Sequence, residues 1–76
     1  MNKQRRQKLL DAIELLERAR GMVEEAKEEE QEYYDNMPEV FQSGERGDDA
    51  ETAIDGLQSA EDGIQEAIDQ IEEAKG

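Results

Sequence analysis

Apolar residues recur every three or four positions through two long stretches of this chain, and alanine holds one fixed place in the repeat. The unit reads Ala12-Ile13-Glu14-Leu15-Leu16 in the first stretch. It returns as Ala53-Ile54-Asp55-Gly56-Leu57, Ala60-Glu61-Asp62-Gly63-Ile64 and Ala67-Ile68-Asp69-Gln70-Ile71 in the second. Alternating steps of three and four define the seam of a helix that packs lengthwise on another helix. The pattern predicts one helix over about 3–35 and a second over about 48–74, joined by a connection over about 36–47. The expected seam of the first helix is Leu9, Ala12, Leu16, Ala19, Val23, Ala26, Tyr33 and Met37, interrupted at Glu30. That of the second is Ala50, Ala53, Leu57, Ala60, Ile64, Ala67, Ile71 and Ala74.

Local signals support these bounds. Leu, Glu, Ala, Arg and Lys are strong helix formers. Pro38 disfavours helical geometry at Met37 and so stops the first helix. Asn36, Pro38, Ser43, Gly44 and Gly47 supply turn chemistry, with Val40 and Phe41 expected to fold back over the hairpin end in a single helical turn. Asp48 or Asp49 is the expected cap of the second helix.

The expected fold class is all-α: one domain over residues 1–76, an antiparallel two-helix hairpin with an alanine-rich coiled-coil seam. Pairing residues whose numbers add to 83 sets an alanine against a larger apolar residue in every layer but Glu30–Ala53. Gly56 and Gly63 each cost about 1 kcal/mol relative to alanine inside a helix, and making room for Leu15 and Met22 is their expected reason. Ile13, Leu15, Met22, Ile54 and Ile68 then lie beside the seam. A two-helix monomer would leave them wet, so they are the expected self-association residues of a homodimeric four-helix bundle.

Charge changes the picture most. The 76 residues carry a net charge of −13. The first 23 residues are net basic, and nearly all the acid follows. Direct binding to nucleic acid or to an anionic membrane is disfavoured for such a surface. With no Cys and no His, the commonest nucleophile–base pairs and soft metal ligands are missing. The acids of residues 35–51 do not follow calcium-loop spacing. No enzyme activity, cofactor or dedicated metal site is therefore expected, and a divalent-cation module is the weakest reading.

Two rows of carboxylates on a rod can imitate the phosphates of a nucleic acid. The candidate partner-binding acids are Glu24, Glu25, Glu28, Glu29, Glu32 and Asp35 on the first helix, with Glu45, Asp48, Asp49, Glu51 and Asp55 opposite. Tyr34, Met37, Val40 and Phe41 form a candidate docking tip, because aromatics and Met are enriched at interfaces.

The segment Tyr33-Tyr34-Asp35-Asn36-Met37-Pro38-Glu39, preceded by Glu28-Glu29-Glu30-Gln31-Glu32 and followed by Ser43-Gly44-Glu45-Arg46, resembles short acidic helical-hairpin proteins of tailed phages and prophages. That resemblance implies a phage accessory protein in the cytoplasm of a bacterial host. Its expected partner is a host protein, a nucleic-acid-binding enzyme or defence protein inhibited by an acidic DNA-mimic surface. The alternative is a small structural or assembly protein whose main partner is a second copy of itself.

Overall fold

The computed structural model describes residues Met1–Gly76. Two long helices, α1 (Lys3–Asp35) and α3 (Glu45–Lys75), pack antiparallel, with one turn of helix, α2 (Glu39–Gln42), between them. There are no strands. The hairpin measures 58 × 15 × 12 Å, with a radius of gyration of 17.2 Å. A compact chain of this length would have about 11 Å.

Asn2 caps α1, its side chain accepting from the Arg5 backbone N–H at 2.8 Å and so satisfying one of the free donors of the first turn. At the other end Asn36 N–H returns to Glu32 O. The Gln42 side chain donates to Tyr34 O at 2.9 Å, which ties α2 to the last turn of α1. Val40 and Phe41 lie in that single turn, as the sequence suggests.

The second helix starts three residues earlier than expected. Gly44 is its N-cap, and Asp48 is already helical, its N–H bonded to Gly44 O. Neither Asp48 nor Asp49 caps the helix; both lie within it. Gly47 explains the early start. A Cβ at Gly47 would stand only 1.9 Å from Gln42 O, so glycine alone lets α3 begin against the backbone of α2.

The seam differs from the expected one by a rotation of each helix. Buried and half-buried residues run Leu9, Ala12, Ile13, Leu16, Ala19, Arg20, Val23, Lys27, Glu30 and Tyr34 on α1, with Met37 just past its end. On α3 they run Gly47, Ala50, Ala53, Ile54, Leu57, Glu61, Ile64, Ala67, Ile68, Ile71 and Lys75. One row of each helix is as expected. The other is centred one residue along, on Ile13, Arg20, Lys27 and Tyr34 in place of Ala12, Ala19, Ala26 and Tyr33, and on Ile54, Glu61, Ile68 and Lys75 in place of Ala53, Ala60, Ala67 and Ala74, with Ala12, Ala19, Ala53 and Ala67 half-buried at its edge. Ile13 is 5% and Ile68 3% exposed, so these residues are the core and not the outside of the hairpin. Ile54 is half-buried. Ala26, Ala60 and Ala74 are exposed, which removes the expected layers Leu9–Ala74, Val23–Ala60 and Ala26–Leu57, whereas Ala12, Ala19, Ala53 and Ala67 stay half-buried and Ala50 is buried. The cross-helix bonds Arg20–Gln65, Lys27–Gln58 and Tyr34–Glu51 join residues whose numbers add to 85, and Lys27–Glu61 joins a pair that adds to 88.

Gly56 and Gly63 do not make room for anything within the hairpin. Nothing lies within 4 Å of where their Cβ atoms would stand, and the same is true of Gly21. Leu15 and Met22 are 61% and 65% exposed.

Two substitutions of the same kind are expected to act in opposite directions. Gly47→Ala drives a methyl into the Gln42 backbone and lowers stability by about 1–3 kcal/mol. Gly21→Ala, in open space on a helix, raises it by about 0.5–1 kcal/mol. Urea unfolding followed by circular dichroism measures both, and equal effects would contradict the close approach at Gly47.

Candidate functional site

The observed seam defines two broad sides of the hairpin, and they differ in chemistry. On one side a groove is lined by Gln31, Tyr34, Glu51, Ile54 and Asp55 near the turn. Another on the same side is lined by Gln7, Leu10, Asp11, Ile13, Glu14, Glu17, Glu72 and Lys75 near the open end. The helical repeat carries this side along through Glu14, Glu17, Glu24, Glu28 and Asp35 of α1. On α3 it continues through Asp48, Glu51, Asp55, Asp62, Asp69 and Glu72. Asp48, Asp55, Asp62 and Asp69 stand seven apart, a straight row at about 10 Å intervals.

Two cations in the middle of the hairpin that could neutralise this face, Arg20 and Lys27, are turned into the seam. Lys27 Nζ donates to Glu61 Oε2 at 2.7 Å and to Gln58 Oε1 at 2.8 Å. Arg20 donates to Gln65 Oε1. The two glutamines pass the order outward: Gln58 Nε2 donates to Asp62 at 3.1 Å, and Gln65 Nε2 donates to Asp69 at 2.9 Å. A seam cation, a glutamine and a surface aspartate thus form a relay that repeats after one heptad, Arg20–Gln65–Asp69 and Lys27–Gln58–Asp62. One turn-ward heptad further, Tyr34 Oη donates to Glu51 at 2.7 Å. These bonds hold three of the surface carboxylates in place.

Glu61 is 8% exposed, and its carboxylate is tolerated there by the Lys27 ammonium. The hydrogen bond to Glu61 holds the Lys27 pKa above its ordinary value, against a smaller lowering by desolvation. The hydrogen bond to the Glu51 carboxylate raises that of Tyr34, with desolvation adding to it. Glu30, the acid that interrupts the expected seam, is half-buried on α1, but Lys27 makes its salt bridge with Glu61 across the hairpin.

Six of the eleven acids singled out in the sequence meet on this face: Glu24, Glu28, Asp35, Asp48, Glu51 and Asp55. Glu25, Glu32 and Glu45 fall on the outer edges of the helices. Glu29 and Asp49 fall on the opposite side. Sequence reasoning missed Asp62 and Asp69 with their glutamines. The heptad spacing of the four aspartates was the available signal.

The opposite broad side carries Ala12, Ala19, Ala26 and Tyr33 of α1 with Ala53, Ala60, Ala67 and Ala74 of α3. Leu15, Met22, Gly56 and Gly63 lie just outside them. At the turn this side ends in a groove lined by Tyr33, Asn36, Met37, Pro38, Phe41 and Arg46. The Arg46 guanidinium sits 5.1 Å from the centre of the Phe41 ring, a cation–π distance. The expected docking tip is therefore altered by one residue. Tyr34 points to the acidic side and Tyr33 replaces it in the groove with Met37 and Phe41, while Val40 is exposed beside them.

No three acidic side chains are grouped to hold a metal ion, and no helix is long and apolar enough to cross a membrane. No protein family, curated protein or solved structure matches this chain. The likeness of the turn segment to phage proteins therefore rests on its residues alone.

Lys27 and Tyr34 both hold their protons more tightly folded than unfolded. Their contribution is complete below the unfolded pKa values and is lost as pH rises through the folded ones, above about pH 10. Denaturant midpoints are expected to fall across that window. Lys27→Arg with Tyr34→Phe, which removes both titrations, should flatten the fall, and an unchanged slope would count against these two bonds.

Proposed function

We propose that this chain is a non-enzymatic binding protein whose acidic face occupies the basic, nucleic-acid-binding groove of another protein and blocks it. The observation that supports this most is the convergence of carboxylates from both helices on one face while Arg20 and Lys27 are consumed in the seam. Asp62 and Asp69 of this face are linked through Gln58 and Gln65 to the seam cations. The turn segment's likeness to phage hairpin proteins makes a host enzyme or defence protein the natural target.

Charge density refines the class of groove. The eleven carboxylates of this face spread over about 36 Å, or about one per 3 Å, at a helix rise of 1.5 Å per residue. A duplex carries one charge per about 1.7 Å and a single strand one per about 3.4 Å. The face resembles one strand more than two, which favours a target that binds single-stranded nucleic acid.

The test starts from bacterial proteins retained on single-stranded DNA cellulose. The immobilised chain is expected to capture a component of that fraction at low salt. Oligo-dT should compete for it better than a duplex of equal length, and roughly 0.5 M salt should release it, because exposed charges are screened beyond a few ångströms there. Asp55→Asn/Asp62→Asn/Asp69→Asn should weaken capture at least tenfold without changing helix content. Capture indifferent to DNA competitor and to these substitutions would refute the reading.

A further inference from the structure

The alanine side offers the hairpin a surface of a different kind. Its middle, from Ala12 to Ala26 and from Gly56 to Ala67, bears no charged side chain, on a chain of net charge −13. Leu15 and Met22 project from it and are largely exposed. Across from them, Gly56 and Gly63 leave open space where side chains would otherwise stand. Glycine at two positions of one heptad row is unfavourable in an isolated helix, and the hairpin contains no contact that uses them. A backbone approached closely from outside would use them.

Protrusion and recess lie on the same face at the same height. Three of the four side-chain bonds between the long helices join residues whose numbers add to 85 and the fourth, Lys27–Glu61, adds to 88, which sets Met22 at about the height of Gly63. A two-fold rotation about the long axis of the hairpin then lays Met22 of each copy over Gly63 of the other. It also makes every neighbouring pair of helices antiparallel, the favourable arrangement of their dipoles. A foreign partner would have to supply both shapes; a second copy already has them. The area agrees. The chain exposes 5742 Å², whereas a compact monomer of its 8.7 kDa would expose about 4,700 Å². The excess of about 1,000 Å² belongs to the whole rod, and it is large enough to supply what one partner gives up in a stable interface, roughly 600–1,000 Å².

We propose that a second copy of this chain covers the alanine face, with Met22 of each copy seated on Gly63 of the other, to form a four-helix dimer whose acidic faces point outward on both sides. The inference is independent of what the acidic face binds.

Sedimentation equilibrium and disulfide trapping test it. The wild-type chain should sediment at twice 8.7 kDa at about 100 μM. Met22→Lys, at an exposed position, should keep its helix content and raise the dissociation constant at least 100-fold. Gly63→Ala meets nothing in the single hairpin, so it should not unfold it, yet should weaken the dimer about tenfold. The chain has no cysteine of its own, so a Met22→Cys chain can be mixed with a Gly63→Cys chain under mild oxidation. Mixed disulfides should form ahead of either like pair. A monomeric wild type, a dimer untouched by both substitutions, or trapping of like pairs alone would each overturn the proposal.

Discussion

Every surface of this hairpin follows from which residues it turns inward, and that choice rests on the difference in size between isoleucine and alanine. Each helix carries the two side by side: Ala12 and Ile13, Ala53 and Ile54, Ala67 and Ile68. Only one of each pair can face the partner helix squarely. Isoleucine has three more carbons than alanine, and burying them stabilises by about 2 kcal/mol per site. The helices therefore rotate to bury the isoleucines. With only five of 76 residues buried, no other term in so small a core is large enough to oppose that choice.

The rotation has a polar cost that the structure meets locally. The isoleucine row also contains Arg20, Lys27, Tyr34 and Glu61, and turning Ile13 and Ile68 inward brings them along. Lys27 and Glu61 compensate each other, and Gln58 and Gln65 take the remaining donors. No buried side-chain nitrogen or oxygen is left without a hydrogen bond. A purely apolar heptad seam can slide by seven residues with little penalty. One in which Lys27 must meet Glu61 cannot, since a slip would leave a charge facing isoleucine. The same rotation moves the alanine rows to the edge of the seam on one broad side, where Ala12, Ala19, Ala53 and Ala67 stay half-buried, and the aspartate row to the other.

The hairpin, the bounds of α1 and the single turn at Val40 and Phe41 were legible in the sequence because they depend on period, proline and helix propensity. The rotation was not. Two seams one residue apart have the same period, and the alanine seam is the more regular of the two. Size decides between them, and period carries no size. The start of α3 was misread for a related reason: glycine at position 47 signals a turn locally, and its use here is clearance against Gln42, which only the folded chain reveals. The carboxylates were visible, but their division between faces depends on the rotation. The Arg20–Gln65–Asp69 relay requires three residues from two helices, so neither helix alone could suggest it.

The slab is 12 Å thick, about one helix diameter, and this bears on how such a protein can change over evolutionary time. Its two broad sides share a backbone but no side chain. The heptad assigns one set of positions to the acids and another to the alanines, and the seam lies between them as a barrier. Mutations can therefore retune one side while leaving the other untouched. Substitutions among the acids alone can change the charge of one side without disturbing how the hairpin is built.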